Sequence, residues 1–172
     1  EVPVGRNRRY FSGISRAGDL ALGGWVISTF NTFQKGFPMG FGLSRAAAGT
    51  RSGRPNAAGD PSAGASGPIV QRLARYFNTD AFSQPADFTW GNLSPRIGTV
   101  RSPGMNNVNL TLSKVFSVTE KVKVDFRASS FNLLNHPVFS GPNTTFGDAS
   151  FGRVFNQANL SRQMEFALKV IF

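Results

Sequence analysis

The strict alternation of apolar and charged residues in two segments is the feature that most narrows the folds open to this chain. Residues 121–129 read KVKVDFRAS, and the chain ends in RQMEFALKVIF, residues 162–172. Because successive side chains of a β-strand point to opposite faces, both segments are predicted to be strands with one apolar face. Termini usually fray into solvent, so a terminal strand this apolar indicates surroundings other than water.

Further strands are predicted from turns and from the same alternation. NVNLTLSKVF, residues 107–116, alternates in the same way, and SVTE, residues 117–120, leaves room only for a tight turn. These segments therefore predict an antiparallel hairpin. A second pair of strands is predicted around the turn QKGFP, residues 34–38. With the opening residues EVPV and the terminal segment, we expect about six strands and no helix.

Two long connections contrast with these short turns. They span about residues 46–104 and 135–160 and are rich in Gly, Pro, Ser and Asn. Structureless loops of this length are rare in compact domains. Long loops on one rim and short turns on the other are typical of outer-membrane β-barrels. In this interpretation the long loops are extracellular, and both SVTE and QKGFP lie on the periplasmic side.

The cost of placing charge in lipid decides which face of the strands points where. A Lys or Arg on the lipid face costs about 2 to 4 kcal/mol at the bilayer midplane. We therefore predict an all-β, antiparallel up-and-down transmembrane β-barrel segment whose apolar face meets lipid. A soluble sandwich would show the same alternation with a core in place of lipid. The residues predicted to face the lumen are Lys121, Lys123, Asp125, Arg127, Glu165 and Lys169.

The composition leaves a soluble alternative open. The formal net charge is +10, and most of the excess is Arg scattered through Gly-, Ser- and Pro-rich stretches. This scatter indicates solvated loop charge, although a basic β-domain that binds nucleic acid would also carry it; such binding would weaken steeply with salt. The mean hydropathy of -0.16 fits a barrel as well as a soluble domain. There is no Cys for disulfides or thiolate ligands.

Nothing in the sequence predicts catalysis. The one His, His136, lies between Asn135 and Pro137 and is interpreted as a turn residue. The nine carboxylates show no spacing typical of a catalytic pair or a calcium loop, and no phosphate-binding glycine motif is present. We therefore expect no enzyme activity, no cofactor and no metal. Trp25 and Trp90 are interpreted either as membrane-interface residues or as packing residues.

Several stretches together resemble one family. They are VPVGRNRRYF, LGGWVISTFNTFQKGFPMGF, GRPNAAGDP, RYFNTDAF, FGDASFGRV, FRASSFNLLNHPVF and RQMEFALKVIF. In this order they resemble the C-terminal region of Oar-like TonB-dependent receptors, which are outer-membrane barrels that usually carry a carboxypeptidase-regulatory-like domain. The resemblance implies that the last strand carries the signal read by the barrel-assembly machinery. The matching residues are Phe166, Leu168, Val170 and Phe172.

The resemblance also implies partners and a larger protein. A family member has a signal peptide, a TonB-interacting segment, a plug and a barrel of about 22 strands. None of the first three is recognised here, so we expect residues 1–172 to be the C-terminal part of a receptor that takes up a large nutrient. The implied partners are outer-membrane lipid and lipopolysaccharide, the assembly machinery, and TonB through the plug, with no nucleic acid. A structural or adhesive surface protein built on the same barrel is the alternative.

Overall fold

Ten strands and two α-helices follow one another in the part of the chain that the computed structural model describes, residues 1–50, 53–64 and 66–172. No α-helix among these residues has the length and apolarity needed to cross a membrane. In chain order the elements are α1 Arg16–Leu22, β1 Val26–Gln34, β2 Pro38–Met39, β3 Gly42–Leu43, β4 Asn56–Ala57, α2 Ile69–Ala74, a short 3₁₀ helix Thr79–Ala81, β5 Phe82–Ser83, β6 Ile97–Arg101, β7 Met105–Ser117, β8 Lys123–Phe131, β9 Thr145–Phe146 and β10 Gln163–Ile171.

The long strands form one four-stranded sheet in the order β1–β7–β8–β10. Strands β7, β8 and β10 are antiparallel neighbours, and Val118 N donates a hydrogen bond to Val122 O across the turn between β7 and β8. The predicted hairpin and terminal strand are therefore confirmed. The predicted all-β class is confirmed, with four long strands in this sheet. The remaining strands are two- to five-residue pieces in separate pairs, and two short helices form where none was expected.

The hairpin predicted around QKGFP does not form. Strand β1 lies beside β7, whereas β2 pairs with β6. A Cβ at position 36 would lie 1.6 Å from the carbonyl oxygen of Ser102, so only glycine lets these two backbones pack this closely. A Cβ on Gly104 would lie 2.7 Å from Gln34 O, so the end of β1 adjoins the start of β7. QKGFP therefore lies at the long-loop end of β1, and its predicted periplasmic position is wrong.

The two long connections are ordered around a core of their own. The chain divides into a sheet unit, Glu1–Thr32, Asn106–His136 and Leu160–Phe172, and a loop unit, Phe33–Met105 and Pro137–Asn159. Between the long strands the connections span residues 35–104 and 132–162, so the first begins earlier than predicted. Their described residues are not structureless, because short strands and helices form among them. Their rings pack edge to face, with centroids 5.0 Å apart for Phe41–Phe77 and for Phe77–Phe151. The buried core comprises Met39, Phe41, Phe77, Ala81, Phe82, Leu93 and Val100.

Two Asp-x-Ser turns shape the surface of the loop unit. Asp148 Oδ1 accepts hydrogen bonds from the backbone and side chain of Ser150, at 2.7 and 2.6 Å. Asp60 Oδ1 accepts the equivalent pair from Ser62, at 2.9 and 2.7 Å. The Ser150 and Ser62 bonds hold the pKa of each carboxyl below its usual range, because they stabilise the ionised form. These carboxylates therefore serve as turn acceptors.

Candidate functional site

One face of the sheet carries charges of both signs in register. Across β8 and β10, Asp125 lies opposite Lys169 and Arg127 lies opposite Ala167, so these side chains share a face. Glu165 lies opposite Ser129 on the same face. Directly opposed residues have Cβ atoms about 4.5 to 5.5 Å apart, so side chains of both signs begin side by side on this face. We name this surface the charged face.

Strand β7 extends the charged face with polar side chains. Thr111 lies opposite Ser129, with their hydroxyl oxygens 3.1 Å apart, and Ser113 lies opposite Arg127. Lys123 lies at the turn end, opposite Ile171 of β10. Lys121 precedes β8 and lies in the turn. The structure thus brings five of the six predicted lumen residues onto one face, and their contact with a water-filled lumen stays a prediction.

The opposite face is apolar, and along β10 it is uncovered by the described part of the chain. Phe166, Leu168 and Val170 lie opposite Ala128, Phe126 and Val124, and Phe166 is 72% exposed. A soluble sandwich would bury such a row against a second layer. The exposed row is instead typical of a sheet whose second layer is lipid.

Near the turn, the N-terminal segment covers part of this apolar face. The Trp25 ring stands edge-on to Phe116 and Phe126, with centroids 6.2 and 6.1 Å away. Its indole nitrogen donates a hydrogen bond to Ala21 O, 2.9 Å away, at the end of α1. Trp25 is therefore a packing residue in this structure. Aromatic residues at one end of the strands are also typical of the girdles of membrane barrels.

Lys114 lies on the otherwise largely apolar face, a position that the sequence analysis did not assign. It lies opposite Phe126 and is buried. Its Nζ donates hydrogen bonds to the carbonyl oxygens of Leu20 and Asp19, at 2.5 and 3.3 Å. The amino group thus satisfies carbonyls near the C-terminal end of α1, where a positive charge is favourable. Position 114 is two residues after Leu112 in the same strand, so the alternation already places Lys114 on the apolar face.

The motif FNLLNHP forms the exit from β8 and holds the chain where it returns to the sheet. Buried Asn132 has φ of 50°, and its side-chain nitrogen donates to Leu160 O, 3.1 Å away. Its side-chain oxygen accepts from His136 N at 2.9 Å. Asn135, with φ of 51°, accepts a hydrogen bond from Arg162 N just before β10. Asparagine tolerates this left-handed backbone better than most residues, which explains both positions.

His136, which was predicted to be a turn residue, directly follows the turn that residues 132–135 form. Among the described residues, no group of three or more His, Cys, Asp or Glu side chains could hold a metal ion. The candidate functional site of this protein is therefore the sheet with its two unlike faces, together with the loops.

The terminal strand is an edge of this sheet. β10 pairs with β8 on one side, and its other edge has no neighbour in the described part of the chain. Phe172 follows the strand and is 95% exposed. A long apolar edge strand invites pairing with a further strand. The assembly role of Phe166, Leu168, Val170 and Phe172 fits this position and stays a prediction.

An open antiparallel sheet with one apolar and one charged face, a tight turn at one end and long loops at the other, is typical of outer-membrane β-barrels. A family model described as an outer membrane beta barrel domain matches residues 1–165. The chain therefore belongs to the outer membrane β-barrel domain family, and its location is the bacterial outer membrane. No curated protein and no solved structure matches the chain.

Proposed function

We propose that this chain is the C-terminal barrel segment of a TonB-dependent receptor that takes up a large nutrient by energy-coupled transport. The observation that carries the proposal is the charged face, where Asp125 and Lys169 oppose each other while the reverse side is apolar. Such a sheet can separate lipid from a water-filled interior. The Oar-like order of the sequence motifs supports TonB coupling in particular.

In this mechanism the chain supplies structure and ligand contact without catalysis. Outer loops capture the nutrient, and a plug moved through TonB opens the lumen. Residues of the charged face keep the passage hydrated, and the apolar face contacts outer-membrane lipid and lipopolysaccharide. The terminal strand is read by the barrel-assembly machinery. No cofactor or metal takes part.

Retention by the periplasmic domain of TonB tests the proposal. The intact protein would be extracted from outer membranes in mild detergent and passed over the immobilised TonB domain. We expect retention that a soluble excess of the same domain abolishes. A co-extracted porin serves as the unretained control. Failure of the intact protein to bind would remove TonB coupling and favour the alternative below.

The alternative is a structural or adhesive surface protein built on the same barrel. It is supported by the ordered loop unit, whose exposed aromatic residues include Phe37, Phe88, Trp90 and Phe155. Deletion of the gene would then reduce attachment of cells to surfaces without reducing uptake of any nutrient. The soluble nucleic-acid-binding interpretation conflicts with the outer-membrane location and is not retained.

A further inference from the structure

Two aromatic side chains project from one short loop of the loop unit. Phe88 is 80% exposed and Trp90 is 71% exposed, although the Phe-rich core lies in the same unit. Moving a large aromatic side chain out of water is favourable. The exposure of two such side chains in an ordered loop therefore indicates a surface that binds a ligand.

The backbone around Trp90 is fixed by the neighbouring segment. A Cβ on Gly91 would lie 1.7 Å from Arg54 O, so the two backbones are in close contact. Leu93 N donates to Pro55 O at 3.2 Å. The side chain of Asn92 accepts from Ala57 N at 2.8 Å, and Asn92 N donates in turn to the side chain of Asn56 at 3.0 Å. The indole is therefore presented from a backbone that loses little freedom on binding.

The preceding turn is held in a strained conformation. Phe88 has φ of 61°, which is unusual for a bulky residue. Its N–H donates to Ala48 O at 2.7 Å, and Asp87 accepts from Ala48 N at 3.0 Å. A Cβ on Gly49 would lie 2.4 Å from the Phe88 ring, so the ring rests on the glycine. Strain of this kind persists where the surrounding contacts enforce it, and it occurs often at ligand sites.

A cleft of about 290 Å³ lies beside the indole. It is lined by Gly53, Arg54, Trp90 and Gly91. The guanidinium of exposed Arg54 can hold a carboxylate by two parallel hydrogen bonds. The face of an indole carries negative charge density and attracts partly positive C–H groups. A sugar ring offers such C–H groups, and a uronic acid adds the carboxylate.

We propose that Trp90 and Arg54 form a binding site for an acidic sugar residue. The ring stacks on Trp90 while its carboxylate pairs with Arg54. This site would be one place where the outer loops capture the nutrient, and its role in uptake rests on the proposed function. Binding itself requires neither TonB nor transport. A soluble acidic polysaccharide and the acidic core sugars of lipopolysaccharide offer the same chemistry.

Calorimetric titration of the intact protein in detergent tests the site. One arm uses trigalacturonate, a second uses deacylated lipopolysaccharide core, and neutral galactotriose is the comparison. We expect at least one acidic ligand to bind and galactotriose to bind at least ten-fold more weakly. Trp90→Ala should weaken acidic-ligand binding at least ten-fold. Arg54→Gln should remove the preference for the acidic ligand. Phe155→Ala truncates another exposed aromatic residue beside an Arg. It should change neither the affinity for the acidic ligand nor the preference for it over galactotriose.

The outcomes separate this inference from the proposed function. Binding of trigalacturonate alone identifies a soluble source, and binding of the core alone identifies lipopolysaccharide. Absence of binding in both arms, equal binding of galactotriose, or unchanged binding by Trp90→Ala overturns the site. Outer-membrane levels of each variant show whether it folds. Because the TonB retention test uses no sugar, its result stands whichever way the titration falls.

Discussion

Asn132 shows how one residue can hold the sheet unit together. Its side chain forms hydrogen bonds with the backbone of His136, just after β8, and with the backbone of Leu160, just before β10. Its own N–H donates to the side chain of Asn109 on β7, 2.9 Å away. The backbone and side chain of one buried residue therefore connect β7, the exit of β8 and the approach to β10. The resemblance drew attention to FNLLNHP, and these contacts give the motif a physical reason.

Asn132→Ala should destabilise the intact protein. The substitution removes the side-chain hydrogen bonds to the backbone of His136 and Leu160, and each such bond contributes about 0.5 to 1.5 kcal/mol. The urea midpoint in lipid vesicles, followed by tryptophan fluorescence, should fall accordingly. Asn156→Ala at an exposed position is the control and should leave the midpoint unchanged. Equal midpoints for the two variants would contradict the role assigned to Asn132.

At Phe172 the expected effect is on assembly. Phe172→Asp should lower the amount of intact protein in the outer membrane, because a charged terminal side chain would spoil the apolar signal of the last strand. Phe172→Leu keeps an apolar residue and should retain most of the protein. Quantitative immunoblots of outer-membrane fractions provide the measurement. Unchanged abundance of the Asp variant would remove the assembly role.

At the scale of the elements, strand β10 has two unlike faces. Leu168 and Val170 lie on its apolar face, while Glu165 and Lys169 lie on the charged face. The alternation alone predicted this division, because a side-chain period of two admits only two faces. It does not explain Lys114, whose charge becomes tolerable only after α1 supplies carbonyl acceptors.

Neighbouring lysine substitutions on β10 test the two faces. Leu168→Lys puts charge on the face assigned to lipid and should cost about 2 to 4 kcal/mol near the midplane. Ala167→Lys puts the same charge on the charged face and should be tolerated. Folding yield in vesicles and outer-membrane level are the readouts. The assignment of faces is reversed if Ala167→Lys is the more damaging variant.

At the scale of the whole molecule, the chain builds two units from interleaved segments. The loop unit has its own aromatic core, in which Phe77 is 1% exposed and contacts Phe41, Phe82 and Phe151. A core of this kind lets the long connections present residues such as Trp90 in fixed positions. Ordered loops of this length are often functional.

Phe77→Ala should loosen the loop unit while the sheet unit remains assembled. Truncation of a buried Phe costs about 3 to 5 kcal/mol, which is a large share of a small unit's stability. Proteinase K added to whole cells should cleave the variant faster within residues 33–105, with unchanged outer-membrane levels. The control is Phe37→Ala, at an exposed ring in the same unit. A loss of outer-membrane protein would show that the two units depend on each other.

The sequence by itself determined the features that follow from local pattern. The alternation fixed the β7–β8 hairpin, the terminal strand and the two faces, because neighbouring residues alone set which side of a strand each occupies. The positions of the two long connections followed from the spacing of these strands. His136 was predicted to be a turn residue from its neighbours Asn135 and Pro137, and it directly follows the turn that residues 132–135 form.

Tertiary structure decided what depends on residues far apart in the chain. QKGFP has the sequence of a hairpin turn, yet Gly36 meets Ser102 and β1 pairs with β7 instead of β2. The aromatic core contains residues as far apart in the chain as Phe41 and Phe151. The amino group of Lys114 donates a hydrogen bond to a carbonyl oxygen of α1. Such contacts join segments that are far apart in the chain and form only when folding brings those segments together. The alternation of residues within one strand therefore does not predict them.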